Sequence, residues 1–242
     1  MALNDPIELA LILVFLAVFS ILSYKKKLLD FEGIFIGNAV GLAAITYGPN
    51  PMVDFFAVVI FFVIGEIASN YPKKKHEQRT IWNVIGNSLP ALAMLILIIA
   101  FPQNSFLLEL AFFGAISAAL ADTLSSEIGY YSKKHPIMIT TFKKVPKGTD
   151  GGVTRRGEFA ALFGGLVIGI IYFFALLTGA AIPFYKIILY SLAVVLSGLV
   201  GSNIDSVFGA VFETRKMLDK TQVNLIGSTA GAIFCIIMGL LI

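Results

Sequence analysis

Eight apolar segments, most of them long enough to cross a lipid bilayer as a helix, account for the greater part of this chain. They lie at roughly 7–23, 32–48, 52–70, 82–101, 105–125, 157–179, 184–208 and 223–242. A transmembrane helix needs about 20 mainly apolar residues, with a range of about 17–25. The segments therefore predict an all-α, polytopic membrane protein with about eight transmembrane helices.

The composition supports the same fold class. The chain is 57% hydrophobic and 14% charged, and its mean hydropathy is +0.87, whereas about a quarter of the residues in a soluble domain are charged. We expect one transmembrane domain over 1–242, in contact with the lipid bilayer and without a nucleic-acid partner; a homodimer is left open. The N-terminal "MALNDPIEL" lacks the basic stretch of a cleaved signal, so the first apolar segment is expected to be retained.

The cations predict the orientation in the membrane. Of the 18 Lys and Arg residues, 17 lie in the first, third, fifth and seventh connections between the apolar segments, and Lys186 is the exception. Cytoplasmic loops carry an excess of Lys and Arg. The odd-numbered connections are therefore expected in the cytoplasm and both termini on the non-cytoplasmic side. A count of six or seven helices would break this alternation.

The fifth connection, at about 126–157, contains "ITTFKKVPKGTDGGVTRRGE". Glycines allow the positive φ angles of tight turns, and the N–H groups of such turns bind anions. The next helix begins directly after this run, and helix N-termini also favour anions. A loop that only sets topology needs Lys and Arg alone, so this composition predicts a phosphate-binding loop. The contributing residues are Gly148, Gly151, Gly152, Lys143, Lys147, Arg155, Arg156, Thr140, Thr141, Thr149 and Thr154.

Acidic residues at helix ends are the second candidate feature. An ionisable group inside a span costs about 2.5–3.5 kcal/mol on insertion scales and is a functional candidate. Asp122 and Asp205 are such groups, and Glu127 lies just beyond the fifth apolar segment. Asp122 and Glu127 are roughly 140° apart on an ideal helix. We therefore expect them to face one ligand only if the helix unwinds near 125–126; otherwise Glu127 is a solvated acid at a helix end.

Carboxylates beside a phosphate-binding loop are typical of a magnesium site, because Mg²⁺ takes oxygen ligands and bridges phosphates. Asp122, Glu127 and Asp205 are the predicted metal ligands. Phosphoryl transfer needs mainly positioning and charge neutralisation, and the chain offers no Ser-His-Asp or Cys-His set. Arg79 is a candidate ligand contact, and Glu66 is expected at the membrane edge. The residues together predict a phosphate-handling site at the cytoplasmic face.

Four stretches, in this order and spacing, resemble the DUF92 family of TMEM19-like integral membrane proteins. They are "ADTLSSEIG" (121–129), "ITTFKKVPKGTDGGVTRRG" (139–157), "GSNIDSVFGA" (201–210) and "LDKTQVNLIGS" (218–228). The family includes the plant phytyl-phosphate kinase and is distantly similar to polyprenol kinases and CDP-diacylglycerol synthases. The resemblance implies a CTP-dependent kinase that converts a prenyl monophosphate into the diphosphate, with Mg²⁺ as cofactor.

The resemblance also implies roles for single residues. Asp122 and Glu127 would be acids of the metal or phosphate site, and Asn87, Asp205 and Asn224 match further motif positions. The "LDKTQVN" stretch departs from the family pattern at Lys220 and Gln222, which leaves the role of Asp219 open. The implied catalytic residues are Asp122, Glu127, Lys143, Lys147 and Arg155; the implied nucleotide-binding residues are Thr141, Lys143, Lys147, Gly148, Thr149, Asp150, Gly151, Gly152, Arg155, Arg79, Asn87 and Asn224.

Two other classes of function stay open at this point. One is another CTP-using lipid enzyme, either a cytidylyltransferase or a kinase of the free prenol, which its nucleotide product would distinguish. The other is a transporter or flippase of phosphorylated lipids. A transporter should place its polar groups near the midplane of the membrane, whereas those of this chain gather at one face.

Overall fold

The computed structural model describes residues 6–69, 79–179 and 181–242, with side chains from Ala10 onward. Each predicted apolar segment coincides with one α-helix of the described part. Two β-strands of two residues each, β1 (Ile137–Met138) and β2 (Gly152–Val153), are a small departure from an all-α fold. The helices are α1 (Pro6–Lys25), α2 (Phe31–Tyr47), α3 (Pro51–Ser69), α4 (Ile81–Ala100), α5 (Ser105–Gly129), α6 (Arg155–Gly179), α7 (Phe184–Phe208) and α8 (Lys220–Leu241).

Six of these helices are long and apolar enough to cross a membrane, counted over the residues that the structure describes. They are α3 to α8, with α5 preceded by a 3₁₀ turn (Pro102–Asn104) and α7 continued by a π-helical turn (Gly209–Glu213). The apolar helix α2 is shorter, as is the described side-chain portion of α1. The chain is thus a mostly helical, multi-pass membrane protein, and the crossing of α1 and α2 stays a prediction.

Helix α5 forms the centre of the bundle. Its residues from Leu108 to Ala121 are all buried, because nearly every position there is apolar or small and can contact a neighbour on any side. Helices α3, α4, α6, α7 and α8 all pack against it. A helix that is apolar all round is expected to be buried in this way.

Small residues let α7 approach α5 and α8 closely, which decides where Asp205 lies. A Cβ atom added to Gly201 would collide with Ala118 of α5 and would lie 2.7 Å from the carbonyl oxygen of Gly227 in α8. A Cβ atom on Gly227 would lie 2.9 Å from Cβ of Asp205. Close helix packing through small residues is common in membranes. The small-residue face of α7 therefore acts in packing and carries Asp205 into the bundle.

The described parts of the odd-numbered connections meet at one end of the bundle. The N–H of Asp30 donates to the Arg79 carbonyl and the N–H of Arg79 to the Leu28 carbonyl, both at 3.0 Å. Arg79 also attracts Glu127, which lies at the end of α5 where the fifth connection starts. A Cβ atom on Gly151 of that connection would lie 2.6 Å from the Ser206 carbonyl oxygen near the end of α7. The predicted alternation of the helices thus brings the cation-rich connections to the same end.

A buried pair of acids lies at the other end of the bundle, where the sequence had not indicated a polar cluster. Asp54 of α3 and Glu109 of α5 are only 0% and 2% exposed, and their side chains contact each other. Asn50 joins them, since its side-chain amide donates to Oε1 of Glu109 at 2.7 Å and its N–H to Oδ2 of Asp54 at 3.1 Å. This network ties α3 to α5.

Candidate active site

A cavity of about 270 Å³ opens where α5 and α7 end and where α6 and α8 begin. Both the predicted acids and the predicted glycine-rich loop line it, although they lie far apart in the sequence. We call it the acidic cavity. The predicted site residues in its lining are Asp122, Glu127, Gly148, Thr149, Asp150, Gly151, Gly152, Thr154, Asp205 and Asn224.

Asp122 of α5 and Asp205 of α7 form the polar centre of the acidic cavity. Their carboxyl groups are within hydrogen-bond reach of each other. Ser202 donates to Oδ1 of Asp122 at 3.5 Å, and the side-chain amide of Asn224 donates to Oδ2 of Asp205 and to the Lys220 carbonyl, both at 3.2 Å. Two ionised carboxylates this close repel each other. The pair therefore requires a proton or a cation between or beside its oxygens.

Glu127 lies in the same cavity but is not part of this pair. Helix α5 remains helical through Gly129, so the unwinding near 125–126 that a ligand shared with Asp122 would require does not occur. The acidic cavity is wide enough that both Asp122 and Glu127 line it from different sides of the helix. Within the described residues, no three His, Cys, Asp or Glu side chains stand close enough to hold a metal ion by themselves. The structure thus assembles two of the three predicted metal ligands, Asp122 and Asp205.

The glycine-rich loop forms two tandem turns against the end of α7. The N–H of Thr149 donates to the Pro146 carbonyl at 3.4 Å, and the N–H of Gly152 donates to the Thr149 carbonyl at 3.0 Å. The third residue of each turn is a glycine with positive φ, 82° for Gly148 and 76° for Gly151. A type II turn requires this conformation at that position. The predicted tight turns are therefore present, and they edge the acidic cavity.

Gly151 has a second reason to be glycine. A Cβ atom there would collide with Ala210 and would lie 2.6 Å from the carbonyl oxygen of Ser206. A Cβ atom on Gly148 would meet nothing closer than the Tyr130 ring, at 3.7 Å. The second turn is therefore seated directly on α7 beside Asp205, while the first turn is not.

The basic side chains of the loop do not line the acidic cavity, which corrects the sequence interpretation. Residues 136–145 fold back on themselves, because the N–H of Met138 donates to the Lys143 carbonyl at 2.8 Å and that of Val145 to the Pro136 carbonyl at 3.0 Å. This pairing leaves the neighbouring side chains on the outside. Four residues that were predicted to contact the phosphates are exposed and outside the lining: Thr141, Lys143, Lys147 and Arg155.

Lys220 is the cation that lines the cavity among the residues the structure describes. It is the first residue of α8 and attracts Asp122, Asp205 and Glu213 electrostatically. Asp219 caps this helix: its Oδ1 accepts from the N–H of Gln222 at 2.9 Å, and the Gln222 side chain accepts from the N–H of Asp219 at 3.0 Å. The departure from the family pattern is thus a capping box, which gives Asp219 a structural role.

The sequence interpretation missed further lining residues, among them Ser125, Ser126, Ser206 and Glu213. Glu213 belongs to the π-helical turn after α7, so its approach to the cavity depends on that local irregularity. Serines in an apolar helix give no distinctive signal. The capping box at 219–222 is a local pattern that could have indicated the start of α8 and therefore the position of Lys220.

The charge balance of the cavity is acidic. Five carboxylates line it against one Lys within the described residues. The N-termini of α6 and α8 also border it, and Thr154 caps α6 by accepting from the N–H of Gly157 at 3.0 Å. Helix N-termini favour phosphates, whereas the carboxylates repel a bare anion. The arrangement suits a phosphate that arrives together with a metal cation.

Arg79 and Asn87 lie elsewhere, which corrects their predicted place in the nucleotide site. They line a second cavity, of about 70 Å³, enclosed by α1, α2, α3 and α4, which we call the α1–α4 cavity. Nη2 of Arg79 donates to the Gly65 carbonyl at 3.0 Å and to Oγ of Ser69 at 2.7 Å. Glu66 is buried and ion-paired with Arg79 at 3.9 Å, rather than solvated at the membrane edge.

Comparison with known proteins shows the family to which the chain is related. The family described as "Integral membrane protein DUF92" matches residues 14–233, a range that includes both cavities. The chain belongs to the DUF92 family. Its resemblance to this family is thereby confirmed. No solved structure matches this DUF92 protein significantly.

Relatives occur in archaea, cyanobacteria and plants. The chain is 32% identical over 240 residues to the uncharacterized membrane protein MJ0933 of Methanocaldococcus jannaschii. The matched region covers 96% of this chain and 94% of the relative. It is 32% identical over 216 residues to protein PGR of Arabidopsis thaliana, covering 79% of this chain and 74% of the relative. It is also 28% identical over 222 residues to the chloroplastic protein VTE6 of the same plant, covering 84% of this chain and 63% of the relative.

Proposed function

We propose that this protein is a CTP-dependent prenyl-phosphate kinase, which transfers a phosphoryl group from CTP to a phytyl, geranylgeranyl or polyprenyl monophosphate. One observation carries the proposal: the Asp122–Asp205 pair and the two glycine turns line the same cavity at one end of a membrane-embedded bundle. Kinship with the chloroplastic VTE6 protein and the family resemblance to a phytyl-phosphate kinase support the choice of substrate.

The donor set fits Mg²⁺. This ion prefers carboxylate oxygens and is usually held by one or two carboxylates together with substrate phosphates. Asp122 and Asp205 would hold it, because their adjacent carboxyl groups need a cation or a proton. Glu127, Asp150 and Glu213 line the same cavity and add negative charge. When bound, Mg²⁺ would neutralise part of the charge on the nucleotide phosphates.

The residues of the chain would position the two phosphates. The turns at 146–152 and the N-termini of α6 and α8 offer N–H groups to the nucleotide, and Lys220 supplies a positive charge beside the acids. An oxygen of the prenyl phosphate attacks the γ-phosphorus, the bond from that phosphorus to the β,γ-bridging oxygen breaks, and CDP leaves with the electron pair. The attacking phosphate is already ionised near neutral pH, so the reaction needs no general base.

The orientation belongs to the same proposal. All eight helices would cross the membrane, so that both termini lie outside and the acidic cavity faces the cytoplasm. The clustering of the cation-rich connections at the cavity's end of the bundle supports this arrangement. Cys235 is the chain's one cysteine and is buried. Single cysteines placed at Lys26 and at Lys186 would therefore report the sidedness of the two ends by labelling with an impermeant maleimide.

The test is an assay of the purified protein with geranylgeranyl phosphate, Mg²⁺ and each of the four nucleoside triphosphates, followed by mass spectrometry. We expect prenyl diphosphate and CDP, with activity lost in Asp205→Asn and strongly reduced in Lys220→Ala. Lys216→Ala, an exposed lysine in the same connection, is the matched control. A CDP-lipid with pyrophosphate would reassign the reaction to a cytidylyltransferase. No turnover together with no nucleotide-dependent change in thermal stability would refute the proposal and favour a transporter.

A further inference from the structure

The α1–α4 cavity is another concave site among the described residues, and the proposed phosphoryl-transfer site does not use it. Its walls are mainly aromatic and aliphatic, with Phe15 and Phe19 of α1 and Phe55, Phe61 and Phe62 of α3 among them. Pockets for apolar ligands have walls of this kind with a few placed polar groups. Here the polar groups include Asn38, Asn87 and Arg79.

Arg79 connects this cavity to the acidic cavity. It lies close enough to Glu127, which lines the acidic cavity, for the two charges to attract each other. A Cβ atom on Gly65 would lie 3.3 Å from Nη1 of Arg79 and 3.6 Å from the methyl group of Thr123, the residue after Asp122. The guanidinium group therefore stands at the junction of an apolar cavity and an acidic one.

The α1–α4 cavity also has a buried polar atom that no part of the described chain satisfies. Oδ1 of Asn38 is buried and has no hydrogen-bond partner there, although the Asn38 amide nitrogen donates to Ser20 at 2.8 Å. An unsatisfied buried acceptor costs about 1–3 kcal/mol. Helix α1, which forms one wall, has exposed apolar residues such as Leu13, Val14 and Val18. Such a surface faces lipid in a membrane protein, so the cavity lies next to the bilayer.

We propose that the α1–α4 cavity binds the first isoprene units of the monophosphate substrate, with Arg79 at the phosphate end and the remainder of the isoprenoid tail in the adjacent bilayer. That the bound lipid is an isoprenoid rests on the proposed function, whereas the location of the lipid site does not. A guanidinium group pairs well with phosphate oxygens, and the apolar walls suit a branched hydrocarbon. The lipid would reach the acidic cavity with its phosphate first, since Arg79 stands between the two cavities.

Gly37 allows a clean test. It lines the α1–α4 cavity, and a Cβ atom there would meet no atom within 4 Å. Gly37→Phe would therefore place a side chain in the cavity without a backbone clash. Glycine is unfavourable within a helix, so its replacement should not destabilise α2. Leu42→Phe, on an exposed position of the same helix outside the cavity, is the matched control. Thermal unfolding in detergent would confirm that both variants fold.

The first readout is the dependence of kcat/KM on chain length. We expect Gly37→Phe to lower kcat/KM for geranylgeranyl phosphate by about tenfold or more, the equivalent of about two buried CH₂ groups, and to change that for dimethylallyl phosphate little. Leu42→Phe should change neither. Arg79→Lys should raise the KM for the lipid and leave the KM for CTP unchanged. Equal losses for both chain lengths in Gly37→Phe would overturn the proposal.

The second readout does not depend on turnover. A photoreactive geranylgeranyl phosphate analogue, used without nucleotide, should cross-link to α1, α2, α3 or α4, and Gly37→Phe should suppress the cross-link while Leu42→Phe does not. This result without any kinase activity would refute the proposed reaction and keep the lipid site. Cross-links on α6 or α7, or competition by an equal amount of phosphatidylglycerol, would refute the lipid site whether or not the kinase activity is present.

Discussion

The two positive-φ glycines of the loop make a matched pair, because they occupy the same position in consecutive turns but differ in their surroundings. Replacing either by Ala places a Cβ atom in the left-handed region, which costs about 1–2 kcal/mol. At Gly148 this is the whole cost, since the nearest atom would be 3.7 Å away. At Gly151 the new Cβ would also collide with Ala210 and crowd the Ser206 carbonyl. Overpacking of this kind adds about 1–3 kcal/mol.

Both substitutions lie in a surface loop. We therefore expect them to lower the affinity for the nucleotide more than the free energy of unfolding of the whole protein. The loop can relax when it is empty, and the ligand must then restore the strained conformation. At 1.4 kcal/mol for each tenfold change, Gly148→Ala should weaken CTP binding by about 5- to 30-fold. Gly151→Ala, at about 2–5 kcal/mol, should weaken it by about 30-fold to several thousandfold.

The assay is the Kd of Mg·CTP for the detergent-purified variants, measured by calorimetry, with the unfolding temperature as a check on folding. Lys144→Ala, an exposed residue of the same loop, controls for general effects on the loop. Equal effects of the two glycine variants would refute the contact between the second turn and α7. No effect of either variant on CTP affinity, with the protein folded, would show that the turns do not bind the nucleotide.

Three further predictions test other parts of the structure. Glu109→Ala should lower the free energy of unfolding by about 1–3 kcal/mol, because it leaves the Asn50 amide and the Asp54 carboxyl group without a buried hydrogen-bond partner; Glu32→Ala, an exposed acid, should have little effect, and equal effects would contradict the buried network. Mg²⁺ should raise the unfolding temperature of the wild type and not that of Asp205→Asn; a shift retained in this variant would exclude Asp205 as a ligand. Asp219→Ala should cost about 0.5–2 kcal/mol as a lost helix cap and Asp219→Asn much less, as measured by chemical denaturation; similar losses in both would contradict the capping role.

The helices and the local turns could be predicted from the sequence alone. Each apolar segment coincides with one helix, because the length of an apolar run and the turn residues at its ends are local properties. Of the three loop glycines predicted to allow a positive φ, Gly148 and Gly151 have one, whereas Gly152 lies in β2 and does not. The family was recognisable for the same reason, since its motifs are contiguous stretches.

Which side chains meet depends on how the helices pack, and the sequence did not indicate this. Asp122 and Asp205 come together because small residues bring α7 against α5 and α8, and a hydropathy pattern does not specify how a helix is rotated about its axis. The same holds for Asp54 and Glu109, which are far apart in sequence and pair across two helices. Lys143 and Lys147 lie outside the acidic cavity, because the backbone pairing within residues 136–145 and the turn that follows it set the course of the loop. Charge and glycine content predicted a site, and packing determined which residues line it.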